Sequence, residues 1–251
     1  MSSVSLNANI LANIVDLLSN LLEECVIVFT QEAVTIKTID SSMVCLISVE
    51  LNDIYTECKI KEDQEIGVNL ILLNKILKCK NKKDDCKIKF TDGDSIQFIF
   101  TNENNKRGNK YKLKLLDLDN EDPGDPEIEP NNQLTLSSKY FSSLCKTIKS
   151  FDESLKIVIE KSTSDVLFLT GTEDSVELVL EKDEDKLQSL KIEEDIQLRV
   201  ILKYMLIFSK AEKFADEVTI TIDDSESPLE ISYEFGESFI KFYTSPQIED
   251  E

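Results

Sequence analysis

No histidine occurs among the 251 residues, which removes the imidazole base of Ser-His and Cys-His nucleophiles. Ser143-Leu-Cys-Lys146 matches S-x-x-K, but a segment rich in Ser and Lys produces that spacing by chance. The six glycines form neither G-x-G-x-x-G nor G-x-x-x-x-G-K-[ST], so no phosphate-cradling loop is expected. Acid pairs such as Asp92/Asp94 and Asp117/Asp119 have a spacing that suits a metal ion. With 49 acids in the chain such pairs arise without selection, and the first lies in the turn TDGDS. Cys25, Cys45, Cys58, Cys79, Cys86 and Cys145 form no C-x-x-C, and no histidine completes a mixed zinc site. They read as reduced, mostly buried thiols. Catalysis, a cofactor and a metal are therefore not expected.

Binding chemistry is better represented. Ile71 to Lys83 holds five lysines and no acid, in a chain of 28 bases against 49 acids and net charge −21. That average repels phosphate unless the two signs are segregated. They are segregated: residues 1–15, 66–83, 131–151 and 196–211 contain no Asp or Glu. Lys75, Lys78 and Lys82 recur at i, i+3, i+7; Lys139, Lys146 and Lys149 at i, i+7, i+10; Arg199, Lys203 and Lys210 at i, i+4, i+11. Such intervals share a helix face. A single stripe is ordinarily just solvated, whereas three stripes in acid-free windows suit a polyanion on the helical side.

Helical periodicity supplies the elements that carry these stripes. It appears over Leu6 to Leu22, Leu70 to Cys79, Tyr140 to Ile148 and Val200 to Phe208. Between them run β-type segments: CVIVF, VTIKTI, VCLISVEL, CKIKF, SIQFIF and KYKLKLLDL, then LKIVIE, DVLFLT, SVELVLE, EVTITI, PLEISYEF and SFIKFY. The halves match at an offset of about 130 residues, with Ile27 answering Ile157, Leu70 Val200, Leu77 Ile207, Phe90 Ile220 and Lys80 Lys210. This reads as a duplicated α+β unit, its four helices grouped on one side of antiparallel sheets. DNEDPGDPEIEPNN, with three prolines and six acids, divides residues 1–118 from 133–251 as a connector over 119–132. No apolar run reaches the ~20 residues of a membrane span. The N-terminus has no basic region before its apolar residues, so an intracellular address without a membrane is expected.

IDSSMV (Ile39 to Val44), IGVNL…NKILKC (Ile66 to Cys79), KLKLLDLD (Lys112 to Asp119) and FYTSPQIEDE (Phe242 to Glu251) resemble the proliferating cell nuclear antigen family of sliding clamps. The resemblance covers essentially the whole chain. It implies the DNA clamp fold: two similar domains per chain, closed into a ring-shaped homotrimer with helices inside and antiparallel sheets outside. Twelve helices about 10 Å wide have a circumference of about 120 Å and leave a hole of about 28 Å, against about 15 Å for eight. B-DNA, about 20 Å across, fits the larger hole with water to spare.

The implied function is that of a non-enzymatic polymerase processivity factor in the nucleus. It would encircle double-stranded DNA without sequence preference, tether DNA polymerase and other replication and repair proteins through short peptide motifs, and need a clamp loader. An acidic interaction scaffold that never encircles DNA is the alternative. By resemblance, Lys75, Lys78, Lys146, Lys203 and Lys210 face DNA. Ile71, Leu72, Leu73, Ile76 and Leu77 would pack their helix on its sheet, with Lys80, Lys82 and Lys83 solvated at its frayed end. Ile39, Met43, Val44, Leu46, Pro123, Asp125, Pro228, Tyr243 and Ser245 take the positions of the partner-peptide pocket. Strands over 109–118 and 175–182 would join subunits, through Cys79, Tyr111, Leu113, Leu115, Val176, Leu178 and Leu180. The first helix departs from the family, with Ala12, Asn13 and Ser19 where lysines are usual, and Pro123 and Asp125 replace apolar connector residues.

Overall fold

Alternating apolar and polar residues build most of the chain into antiparallel strands, in a computed structural model that describes residues 2–81, 83–91, 94–102, 105–163, 165–169, 177–180 and 186–247. It divides into two units.

The first unit comprises Met1–Ser41, Ser48–Pro123 and Gly236–Ser238. It opens with β1 (Ser3–Asn7), α1 (Ala8–Leu18), β2 (Glu24–Phe29) and β3 (Ala33–Ile39). It continues with β4 (Cys45–Asn52, from Ser48 on), β5 (Tyr55–Lys59), β6 (Gln64–Asn69), α2 (Leu70–Lys78), β7 (Asp85–Phe90), β8 (Ser95–Asn102) and β9 (Asn105–Lys114). Strands β5, β1, β7, β8 and β9 form one sheet in that order, while β4, β3, β2 and β6 lie side by side.

The second unit comprises Ser42–Ile47, Gly124–Phe235 and Phe239–Glu251. Its elements are β10 (Asn132–Ser137), α3 (Ser138–Ile148), β11 (Ser154–Glu160), β12 (Asp165–Leu169), β13 (Glu177–Leu180), β14 (Leu187–Ile192) and β15 (Ile196–Ile201). Then follow α4 (Leu202–Phe208), a 3-10 turn (Ser209–Lys213), β16 (Glu217–Ile222), β17 (Leu229–Phe235) and β18 (Ser238–Thr244, from Phe239 on). Here β14, β10, β16, β17 and β18 lie side by side, and β13, β12, β11 and β15 form a sheet. Replacing each strand of the first unit by its counterpart reproduces both strand orders, so the duplication extends to topology.

Each helix continues a strand without a turn: β1 into α1, β6 into α2, β10 into α3 and β15 into α4. The strand's last residue doubles as the N-cap. Asn7 and Asn69 keep extended backbone, and their side chains accept from Asn9 N–H and Leu72 N–H, each at 2.9 Å. The first helical N–H of α2 donates to Glu23 O at 2.8 Å, and that of α4 to Glu153 O at 3.0 Å. Helices α2 and α4 are thereby tied to the sheets from their first residue.

The cores are apolar and closely packed. In the first unit α1 buries Leu11, Ile14, Val15, Leu17 and Leu18, and α2 buries Leu70, Leu73 and Leu77. Phe29 meets Phe90 edge-on at 5.3 Å. In the second unit Phe208 stacks on Phe242 at 4.2 Å, and Phe141, Phe168 and Tyr233 are fully buried. Cys25, Cys45, Cys86 and Cys145 are buried free thiols, whereas Cys58 and Cys79 are exposed.

Several expectations are corrected. The helical pattern over Leu6 to Leu22 is helix only from Ala8 to Leu18, because Val4 and Leu6 alternate on β1. The repeat offset is 130 for α1 and α3 (residues 8 and 138) but 132 for α2 and α4 (70 and 202). The pairings of Leu70 with Val200, Leu77 with Ile207, Phe90 with Ile220 and Lys80 with Lys210 therefore slip by two residues. Ile71 and Leu72 do not pack on the sheet: they are 45% and 49% exposed. Lys80 is not merely solvated, since its Nζ donates to Asn9 Oδ1 at 2.5 Å. Lys82 and Asp92 lie outside the described residues.

Two local constraints hold the ends of this unit's elements. Gly67 on β6 accepts from Leu116 N–H at 2.8 Å, and a Cβ there would collide with the Leu116 carbonyl oxygen. Past α2, the buried Asp84 accepts from Asn81 N–H at 2.9 Å, Asn81 Nδ2 at 3.1 Å and Asn102 Nδ2 at 2.5 Å. The Asn81 backbone bond leads in holding the Asp84 carboxyl below its ordinary pKa, and desolvation opposes it. Gly67→Ala is expected to lower stability by about 1–3 kcal/mol, read as a lower urea midpoint. Asp84→Asn should cost about 1–2 kcal/mol at neutral pH. Because the folded pKa is depressed, Asp84 stabilises above its unfolded pKa and ceases to as pH falls through the folded value. Urea titrations of both proteins should therefore converge below about pH 4.

Candidate nucleic-acid interface

In the first unit α1 lies against α2, and the residues facing away from the core differ sharply between them. Those of α1 are Asn9, Asn13, Asp16 and, just past its end, Asn20; those of α2 are Ile71, Leu72, Lys75 and Lys78. Lys78 Nζ lies 2.9 Å from Asp16 Oδ1. Asn74 Nδ2 donates to the same oxygen at 3.1 Å and to Ser19 Oγ at 3.0 Å. Asp16 lies just beyond the first acid-free window but inside α1, so acids are not wholly excluded from the helices. The face is thus a mixture of neutral amides, two exposed apolar side chains, and the lysines Lys75 and Lys78, the second ion-paired with Asp16.

In the second unit the cations converge. Lys146, Lys149, Arg199, Lys203 and Lys210 line one broad open depression of about 1340 Å³, together with Ser142, Asp152, Glu153 and Glu212 among others. Five cations against three acids leave it net positive in a chain of net charge −21. The α3 helix brings Lys146 and the residue after its last turn brings Lys149; β15 brings Arg199, α4 Lys203 and the 3-10 turn Lys210. Lys146 Nζ stands 3.9 Å from Glu212 Oε1, with 66% and 33% of the two side chains exposed. The sequence-assigned Lys146, Lys203 and Lys210 are brought together here. Lys149 and Arg199 join them, although only their place in the stripes pointed to it. Four exposed ammonium groups and the half-buried Arg199 guanidinium lining a wide depression suit weak, water-screened contact with phosphates rather than base reading.

The peptide-pocket residues fall in both units. Ile39, half-buried, and Pro123, exposed, belong to the first. In the second, Met43 is 75% exposed and holds a left-handed backbone with φ of 58°, a conformation uncommon for a side chain of its kind. Ser245 N–H donates to Val44 O at 3.3 Å, setting the start of the tail beside Met43. Leu46 and Tyr243 are buried, and Pro228 is half-buried. Burial, then the charge of Glu230 and a hydrogen bond to it, then the charge of the exposed Asp125, raise the Tyr243 pKa. Gln247 N–H donates to Arg199 O at 2.8 Å, tying the tail to β15.

Of the residues expected at a subunit edge, Tyr111 and Leu113 lie on β9 and Leu178 and Leu180 on β13, each the outermost strand of its sheet. β9 ends one sheet and β13 another. Cys79, just past α2, shares a hydrogen bond with Tyr111 on β9, the leading reason the Tyr111 pKa is raised. Leu113 is buried in its own unit, and Leu115 is half-buried. Leu178 and Leu180 pair through their backbones with Phe168 and Val166, and Val176 lies outside the described residues. Phe151, 55% exposed just beyond α3, escaped sequence reading because a lone aromatic after a helix carries no periodic signal.

The description of proliferating cell nuclear antigen, N-terminal domain, matches residues 3–122, and that of its C-terminal domain matches residues 124–248. Proliferating cell nuclear antigen from Caenorhabditis elegans is similar throughout: 26% identical over 256 residues, covering 98% of this chain and 96% of the relative. With both halves matched in order, the chain belongs to the proliferating cell nuclear antigen family of non-enzymatic DNA sliding clamps.

Proposed function

We propose that three copies join head to tail, β9 of one chain beside β13 of the next, and that Lys75, Lys78, Lys146, Lys203 and Lys210 face the enclosed duplex, with Lys149 and Arg199 beside them. The observation that carries this reading is the net positive depression on a strongly acidic chain. Attraction there and repulsion elsewhere orient the chain on a polyanion without gripping it. Both β9 and β13 are outermost strands, whose unpaired backbone groups suit head-to-tail pairing. Residues 1–118 and 133–251 act as the two clamp domains, and 119–132 as the connector.

The rim of the second unit is the docking place for replication and repair proteins. A short peptide with aromatic anchors would settle against Met43, Val44, Leu46, Pro228, Tyr243 and Ser245, with Asp125 contributing from the connector. A polymerase peptide is one such partner, and an ATP-driven loader opens the ring. Such work places the protein in the nucleus. Among the described residues no helix is long and apolar enough to cross a membrane.

Light scattering at micromolar concentration is expected to give three chains of 28.6 kDa, about 86 kDa; a stable monomer would favour the acidic scaffold that never encircles DNA. Replacing Lys146, Lys203 and Lys210 by Ala should leave that mass unchanged. The slope of log affinity for duplex against log salt should fall by about one unit per lost phosphate contact. Asp125→Leu is expected to tighten an aromatic-anchored peptide by about five- to tenfold, the size of one added apolar contact. Isothermal titration checks this, and unchanged affinity would remove Asp125 from the pocket.

A further inference from the structure

Both helix pairs carry one ion pair between a lysine assigned to DNA and a nearby carboxylate, and the two are built with opposite polarity. In the first unit the acid is on the first helix and the base on the second: Asp16 Oδ1 and Lys78 Nζ, 2.9 Å apart. In the second unit the base is on the first helix and the acid just after the second: Lys146 Nζ and Glu212 Oε1, 3.9 Å apart. Asp16 and Lys146 are equivalent positions of the repeat, each the ninth residue of an eleven-residue helix. Lys78 and Lys210 are equivalent by the 132-residue offset, and Glu212 stands two residues beyond. The first-helix position thus changes sign between the units, yet in each unit a lysine keeps a carboxylate beside it, which is not simple residue inheritance. It is also not core structure, because the four side chains are 65%, 44%, 66% and 33% exposed for Lys78, Asp16, Lys146 and Glu212. Exposed ion pairs add little to stability.

We propose that Asp16 and Glu212 are internal competitors for the lysines that meet DNA phosphates, and that they set how weakly the helix faces hold the duplex. A carboxylate offers an ammonium the same kind of anionic oxygen that a phosphate does. Lys78, leaving a phosphate, returns to Asp16, which Asn74 Nδ2 holds at 3.1 Å, so the exchange of anions is close to neutral. The cations are therefore present for capture yet never wholly available for grip. This rests on the reading that the helix faces meet duplex DNA, and its test separates the two.

The test is fluorescence anisotropy of the full-length protein with a labelled blunt duplex of mixed sequence, across a series of salt concentrations. Asp16→Asn is expected to tighten binding about two- to fivefold at low salt, the scale of an exposed ion pair's competition. It should also steepen the salt slope by up to about one unit. In a Lys78→Ala background the same change should do nothing. Glu212→Gln should behave alike through Lys146, which keeps the test decisive should Asp16→Asn fold poorly. Glu57→Gln removes a carboxylate that pairs with Lys59 and Lys87 on sheet strands, and should leave binding unchanged. If Lys78→Ala and Lys146→Ala weaken binding but Asp16→Asn and Glu212→Gln do not strengthen it, the competitor role is overturned and the DNA-facing reading stands. Equal strengthening by Glu57→Gln would reduce the effect to net charge and also overturn it. Indifference to the lysine variants would remove the reading beneath it.

Discussion

Duplex DNA repels a chain of net charge −21 wherever its acids are not locally outnumbered. The cations therefore have to be gathered, and the elements that gather them have to be held in place. The fold does both through one device used four times. A strand ends in the residue that serves as N-cap and a helix follows at once; in α2, α3 and α4 the first N–H already donates to Glu23, Asp216 and Glu153, each the residue before a strand. No loop intervenes to let the helix swing. Its apolar side is committed to its sheet, and its other side carries whatever the sequence places there. In the second unit that side is Lys146 with Lys149 just beyond, and Lys203, with Arg199 and Lys210 from the adjoining strand and turn.

The first unit is built on the same plan and carries a different surface. Asn9, Asn13 and Asn20 give amides where charge would be possible, and Ile71 and Leu72 expose apolar side chains beside Lys75. Amides and aliphatic groups cannot hold a phosphate as an ammonium does. The two helix pairs thus differ in surface charge although their topology is the same. Weak attachment suits a protein whose hold on DNA would come from enclosure: tight phosphate contacts would oppose sliding.

Much of this was legible in the sequence, and what was not has identifiable causes. The acid-free windows located all four helices, and the duplication emerged from apolar positions 130 residues apart. Strands β1, β6, β10 and β15 went unseen as separate elements because nothing like Gly, Pro or Asp punctuates the step into a helix at Asn7/Ala8 or Ile201/Leu202. The offset slipped to 132 because a two-residue insertion falls between β2/β11 and β5/β14, where no shared motif marks it. Ile71 and Leu72 were assigned to the core on type alone. Leu70, Leu73 and Leu77 already fill the buried side of a nine-residue helix, which leaves no room for two more. The Asp16–Lys78 and Lys146–Glu212 pairs join residues more than sixty positions apart, beyond the reach of any spacing rule. The family resemblance named the site residues. The structure adds where the described ones lie and what several of them touch.

The most direct measurement of the central claim is retention on circular and linear DNA. The protein, loaded by its clamp loader onto a nicked circle and passed through a sizing column, is expected to stay with the DNA at salt high enough to abolish phosphate contacts. Cutting the circle once should release it. Release by salt from the intact circle, or retention after cutting, would contradict enclosure and show attachment by surface contact alone.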